Sequence, residues 1–449
     1  MSNSITYIKR LFNKRILASI LAGALIFFNV QTVKAESLNI NAQSYILIDS
    51  KTGQVLYEQN ANEKLYPAST TKIMTAILAL ENGNPDQMML ASQAAVLDIG
   101  KDGMNIGLAA GEEIRLEDLL HALLIKSANE TANIIAENIS SSRSEFVDLM
   151  NKKAAELGAT NTHFVNPCGK DSEKEDSTHL TTASDMAKFA KYAMTLPKFR
   201  EIVEEKSFKM PASNKHPESF WPPYFTTNKL LLYNQYKSDL FNVIGIKTGF
   251  TDKAGNNLIS SAINQEGMEL ISVVMGVRNA PADSIFFNSK ALLEYGFNNY
   301  SLQQITGSAE FIKNVPVTNA ADNATLNLVT AQELKGVLPL DKNSWNITRN
   351  EYIEDEIAAP IHQGDILGHV EYLRNGVLLG KVDVTASSSI EKSVTLNAVK
   401  NAKSVLSSLV FKKTLEGIVI VILSFILLRL ILRKLSRIVK SKKQQRTDN

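Results

Sequence analysis

The chain has 449 residues, 44% of them hydrophobic and 21% charged. That is enough for two or three domains with sizeable cores, and it excludes a mostly disordered chain, a collagen or a coiled-coil rod. The formal net charge of +2 hides an asymmetry: the fifteen Lys/Arg and two Asp/Glu of residues 1–35 and 412–449 leave 33 basic and 44 acidic residues in 36–411, a net of −11. An acidic middle argues against nucleic acid as a partner. The single cysteine, Cys168, excludes an internal disulfide and a Cys-rich metal centre. The six histidines include no HExxH and no close pair, so neither a metal nor a cofactor is expected.

Residues 1–35 read as a secretory signal peptide. Lys9, Arg10, Lys14 and Arg15 precede an apolar run of 13 residues, Ile16–Phe28, and Val33-Lys34-Ala35 is a small-residue cleavage pattern. The run is short for a membrane span. Two alternating segments follow, Ser44–Asp49 and Gln54–Tyr57, joined by a turn at Ser50–Gly53, and they predict a β-hairpin. Helical spacing dominates to about residue 205, as in Leu116–Leu124 and Phe146–Ala154. Strand patterns return in Val243–Ile246, Asn257–Ser260 and Leu270–Met275, and a last helix is expected at Asp283–Tyr295. Strands at both ends with helices between predict an α+β domain over 36–300, its sheet built from distant segments. Residues 304–395 read as a small all-β domain, with Asn375-Gly376 as a hairpin turn between His369–Leu373 and Val377–Val384. A connector, 396–412, can be helical. Residues 413–434 form an apolar span without a polar face, and 435–449 are a basic tail. The positive-inside bias puts that tail in the cytoplasm and residues 36–411 outside, on a single-pass membrane protein.

Three short motifs carry chemistry, in chain order. Ser69-Thr70-Thr71-Lys72 precedes a helical run, so Ser69 and Lys72 share a face one turn apart. A serine hydroxyl needs a base, and a buried lysine beside a second cation can be one. The helix start adds partial positive charge near the nucleophile. Ser127-Ala128-Asn129 offers a second hydroxyl to relay a proton and an amide to grip substrate and lysine. Lys247-Thr248-Gly249 follows a strand: Lys247 and Thr248 can meet a carboxylate, Gly249 permits close approach, and the Phe250 N–H can serve an oxyanion. Decoys exist at Lys51-Thr52-Gly53, Ser389–Lys392 and Ser344–Asn346, but none has the neighbouring element its role requires.

The ordered SxxK, SxN and KTG set resembles that of low-molecular-mass penicillin-binding proteins, the D-alanyl-D-alanine carboxypeptidases. Pro67–Thr75, Ala110–Glu112, Ser127–Ala132, Leu157–Pro167, Thr181–Ala183 and Gly245–Gly255 also resemble family segments, and the likeness covers roughly residues 38–300. It implies a penicillin-binding, β-lactamase-like transpeptidase domain before the β domain and anchor. It implies Ser69 as acylated nucleophile, Lys72 as its base, Ser127 and Asn129 as proton relay and substrate grip, and Lys247 and Thr248 on the terminal carboxylate. Arg278 follows a strand and is a further carboxylate candidate or a surface residue. Departures are Glu130 for the common Asp, Phe250 for a His, and Cys168-Gly169 for His-Gly or Asn-Gly. The implied activity is removal of the terminal D-alanine from peptidoglycan pentapeptide stems of a bacterial wall, with β-lactams as covalent inhibitors. The alternatives are a D,D-endopeptidase or β-lactamase on the same fold, or a non-catalytic wall-binding protein. No deacylating Glu segment stands between the SxN and KTG motifs, which disfavours a class A β-lactamase.

Overall fold

The hairpin expected over residues 44–57 is β1 (Ser44–Asp49) and β2 (Val55–Gln59). The computed structural model describes residues 38–100, 102–171, 178–321 and 324–444. The signal segment 1–35 and the last five residues of the basic tail lie outside the described residues. β1 pairs with a strand more than 200 positions away, β5 (Glu269–Val277), after β3 (Asn242–Thr251) and β4 (Gly255–Ile263). The sheet is antiparallel throughout, in the order β2-β1-β5-β4-β3. Strand alternation sorts its two faces. Ile46, Ile48, Ile271, Val273 and Met275 face one core, and Tyr45, Leu47, Leu270 and Val274 face the other.

The first core is closed by helices α1 (Lys72–Asn82), α2 (Leu116–His121), α3 (Asn129–Ile139), α4 (Arg143–Glu156), α5 (Ala183–Ala193) and α6 (Pro197–Glu204). Their starts are chemically marked. Ser142 and Thr182 cap α4 and α5 by accepting from the N–H groups of Glu145 and Asp185, and Pro197 opens α6. In α1 the first eight residues, Lys72 to Ala79, are all buried, so it is a central helix with no solvent face there. The second core is covered by α7 (Ser284–Asn299), the helix expected at 283–295. The strand β3 ends the sheet and packs beside the short 3₁₀ turn Ala68–Thr71 that leads into α1. That placement sets the nucleophile candidate against a sheet edge.

The C-terminal strands are β6 (Tyr300–Thr306), β7 (Phe311–Pro316), β8 (Thr325–Thr330), β9 (Leu334–Pro339), β10 (Ile347–Ile353), β11 (Ile366–Arg374) and β12 (Val377–Ala386). Five form an antiparallel sheet, β7-β8-β12-β11-β10, and β6 pairs with β9. The Asn-Gly turn is as the sequence predicts: Asn375 and Gly376 have φ of 49° and 80°, the two left-handed residues of a type I′ hairpin. Leu326, Leu328, Val370, Val382 and Val384 make this sheet's own core. β6 begins at the junction of the two expected domains, where the Tyr300 hydroxyl donates to Leu56 O at 2.9 Å.

The connector is helical, α8 (Val394–Ser407), and α9 runs unbroken from Leu409 to Gln444. Within α9, Leu409–Lys440 is long and apolar enough to cross a membrane, and its apolar side chains are exposed. A chain truncated after Lys403 lacks all of α9 and is expected to stay soluble without detergent and to keep its acylation rate. Sedimentation of this chain with vesicles, or a lost rate, would show that the folded part holds a further membrane surface or depends on α9.

Candidate active site

The nucleophile segment is a strained turn. Ala68 lies in the left-handed region at φ 50°, and Ala68–Thr71 is a 3₁₀ turn directly ahead of α1. Such a conformation persists only where the surroundings hold it. Here one support is the loop after Pro167. Gly169 lies at φ 83°, and a Cβ there would sit 1.8 Å from Ala68 O, so only glycine allows this approach. On the other side a Cβ on Gly249 would stand 3.0–3.2 Å from Pro67 O, Thr70 N and Ser69 N, tighter than ordinary contact. The two glycines flank the serine turn from the loop and from β3.

Lys72 is fully buried, with Nζ 2.8 Å from Ser69 Oγ, 2.7 Å from Asn129 Oδ1 and 2.8 Å from the carbonyl oxygen of Cys168. The Asn129 amide cannot be flipped, because Nδ2 donates to Ile99 O at 2.7 Å. An ammonium has three N–H groups for these three oxygens, whereas a neutral amine has two. Asn129 Oδ1 and Cys168 O can only accept, but the serine hydroxyl can also donate. Loss of one proton therefore leaves the lysine lone pair directed at the Ser69 hydroxyl.

Burial drives that loss. It lowers Lys72 from the ordinary lysine value to about 8, opposed by Cys168 and the Glu130 carboxylate. Lys247 is also buried and is pushed well below its usual range by desolvation first and by the charge of Lys72 second. Its Nζ donates to Thr248 O at 3.0 Å. A substrate carboxylate beside Lys247 would pull its affinity for a proton back up. Holding Lys72 in this state costs about 3 kcal/mol below pH 8. The sign is that of a lowered base: the unfolded chain binds the proton more tightly, so this cost disappears as pH rises from about 8 towards 10.5.

Ser127 ends a π-turn, Ala122–Lys126, and takes the left-handed conformation at φ 67°. It lines the same cleft as Ser69, Asn129, Thr248, Gly249 and Phe250, a space of about 790 Å³. Ser127 is not one of the three partners of Lys72, which leaves its hydroxyl to the cleft. Thr227 was not singled out by sequence, yet its hydroxyl is 2.6 Å from that of Thr248, and its N–H donates to Ile125 O at 3.3 Å. It therefore links β3 to the π-turn. Arg278 is exposed and donates to Asp252 O at 3.0 Å, and it is not among the cleft-lining residues. Glu130 does not touch the nucleophile. Its carboxylate, raised by burial, accepts from the N–H groups of Ile106 and Gly107 at 2.6 and 3.2 Å and so ties down a cleft-wall loop. Cys168 is a buried free thiol, and its contact with Lys72 is through its backbone.

A buried lysine on a serine at a strained turn, with a second buried lysine on the neighbouring strand, is the arrangement that lysine-assisted serine acyl transfer requires. Residues 29–279 match the family model described as D-alanyl-D-alanine carboxypeptidase, and residues 300–392 match the C-terminal domain of penicillin-binding protein 5. The chain is 29% identical to D-alanyl-D-alanine carboxypeptidase DacF of Bacillus subtilis, over 86% of this chain and 97% of that one. It is 32% identical to DacC of Escherichia coli, over 81% and 87%. Among solved structures, penicillin-binding protein 5 of Haemophilus influenzae aligns with a TM-score of 0.60 at 27% identity, covering 79% of this chain and 99% of the other. A peptidoglycan synthesis regulatory factor, PBP3, of Streptococcus pneumoniae aligns with a TM-score of 0.65 at 25% identity, covering 78% and 100%. The chain belongs to the D-alanyl-D-alanine carboxypeptidase family, serine hydrolases of the penicillin-binding-protein class.

The charge state of Lys72 predicts the pH profile. If its neutral form is the base, acylation by penicillin should rise about tenfold per pH unit below about 8 and level off above it. Stopped-flow acylation rates between pH 6 and 9.5 check this. A rate that falls across that range would exclude neutral Lys72 as the base.

Proposed function

We propose that the chain removes the terminal D-alanine from peptidoglycan pentapeptide stems through an acyl-enzyme on Ser69. The observation that carries this reading is the Lys72 amine, 2.8 Å from Ser69 Oγ with two acceptor-only oxygens as its other partners. Lys72 takes the serine proton as Oγ attacks the penultimate D-alanine carbonyl. The developing oxyanion meets the N–H of Phe250 and that of Ser69 itself. Ser127 passes a proton to the departing amine, and water then hydrolyses the ester with Lys72 again as base. Lys247, Thr248 and Thr227 take the terminal carboxylate, and Asn129 holds both the lysine and the substrate. β-Lactams enter the same route and stay as the acyl adduct. The span in α9 and its basic end anchor the chain in the cytoplasmic membrane with the active site outside, facing the wall.

Three measurements test this. A penicillin adduct should map to Ser69 by mass spectrometry and vanish in Ser69→Ala; an adduct on another serine overturns the assignment. Lys247→Gln should slow hydrolysis of a peptide ending in D-Ala-D-Ala roughly ten- to a hundredfold, the worth of one charge-assisted hydrogen bond. The wild type should discriminate against the same peptide with an amidated C-terminus. Equal rates on acid and amide would favour an endopeptidase.

A further inference from the structure

The Cys168 carbonyl is a partner of Lys72 that no side chain supplies, so something else must aim it. The segment carrying it is Val165–Gly169. Asn166 Oδ1 accepts from the backbone N–H groups of Cys168 at 3.2 Å and Gly169 at 2.7 Å, while its Nδ2 donates to Lys170 O at 3.0 Å. One side chain thus closes the turn on itself. From α1, the Thr75 hydroxyl donates to Pro167 O at 2.5 Å, the peptide just before Cys168. His179 joins the start of the segment to the nucleophile turn. Its Nδ1 accepts from Val165 N at 3.1 Å, which leaves Nε2 to carry the proton of the neutral ring, 2.9 Å from Thr71 Oγ1. Burial holds His179 down to about 3, so the ring stays neutral at any working pH.

We propose that Asn166 is a positioning residue for catalysis: it folds Pro167–Gly169 so that the Cys168 carbonyl stays on Lys72 and fixes the direction of the lysine lone pair. This rests on the reading of Lys72 as the base. Among the described residues, the titratable groups that act on Lys72 are Lys247 from β3, Glu130 from α3 and the Cys168 thiol from the loop, and Asn166 adds no charge of its own. Its removal acts on Lys72 through geometry alone. Without an aimed Cys168 carbonyl, the ammonium loses one of three acceptors and the amine loses one of the two oxygens that orient it.

The test is the pH dependence of Ser69 acylation by labelled penicillin, per active molecule, in the full chain and in two variants. In Asn166→Ala the plateau should fall by about a hundredfold, the effect of a misplaced catalytic group. Its acid limb should move to lower pH, because an acceptor that favours the charged lysine is gone. Asn166→Asp keeps the acceptor for Cys168 and Gly169, loses the donor to Lys170 O and adds a negative charge, so its plateau should lie between those of Asn166→Ala and the wild type and its limb should move to higher pH. Limbs that coincide with the wild type in both variants, with the loss confined to the fraction of active protein, would overturn the proposal. Thr75→Val removes the hold on Pro167 O from the other side, and its limb should shift the same way as that of Asn166→Ala. Where Asn166→Ala does not fold, an unmoved limb in Thr75→Val and Asn166→Asp overturns the proposal. Absence of any Ser69 adduct in the wild type overturns the underlying reading as well, whereas normal acylation with unmoved limbs overturns this inference alone.

Discussion

Everything at the candidate site follows from placing a lysine ammonium where water cannot reach it. A buried cation must be paired, solvated by dipoles or neutralised. Lys72 has no carboxylate among its three hydrogen-bond partners, only oxygens of a serine, an amide and a backbone carbonyl. Those dipoles soften the desolvation cost without cancelling it, which leaves the group close to losing its proton. The same three oxygens decide where the lone pair points once the proton is gone. Proton affinity and direction are therefore set by one coordination shell.

That shell is assembled from three separate parts of the chain: the turn before α1, the start of α3, and the loop after Pro167. A fourth part, β3, brings Lys247 and the wall of the cleft. The sheet holds these parts in register because β1 pairs with β5, so the beginning and end of the domain are tied together across its centre. The helices on one face bury α1 almost completely, so the serine turn cannot relax without disturbing the core. The left-handed conformations at Ala68 and Ser127 persist under that constraint, and each sits at or beside a residue of the motifs.

The elements with local signatures were legible in the sequence. The first hairpin, the three later strands, the helix at 283–295 and the Asn-Gly turn all have periods or turn residues that fix them without knowledge of the rest. The motif residues could be nominated from the sequence because their chemistry is in their side chains, and the fold brings Ser69, Ser127, Asn129 and Thr248 to one cleft. What could not be read was of two kinds. The Cys168 carbonyl is a group every residue owns, so nothing in the letters marks it as a lysine partner. Thr227 meets Thr248 only through tertiary folding, and its neighbours, Thr226 and Asn228, carry no pattern that distinguishes it. Arg278 shows the converse. It follows a strand, which suits a carboxylate ligand and a surface residue equally, and its guanidinium donates to the backbone of Asp252 at the surface. Position along a strand does not say which way a long side chain will lean.

The free edge of the sheet has a consequence beyond chemistry. A ten-residue edge strand such as β3 is normally a hazard, because a neighbouring molecule can add its own strand to the row of unpaired backbone groups. In this fold the edge faces the serine turn, so closely at Gly249 that a Cβ there would stand 3.0–3.2 Å from the backbone of Pro67, Ser69 and Thr70. A strand embedded in another folded sheet would bring its flanking layers into collision with that turn. A single extended peptide has no such bulk. The serine turn against Gly249 thus also obstructs edge-to-edge pairing of copies of the protein, which matters most where anchoring to a membrane would crowd them into two dimensions.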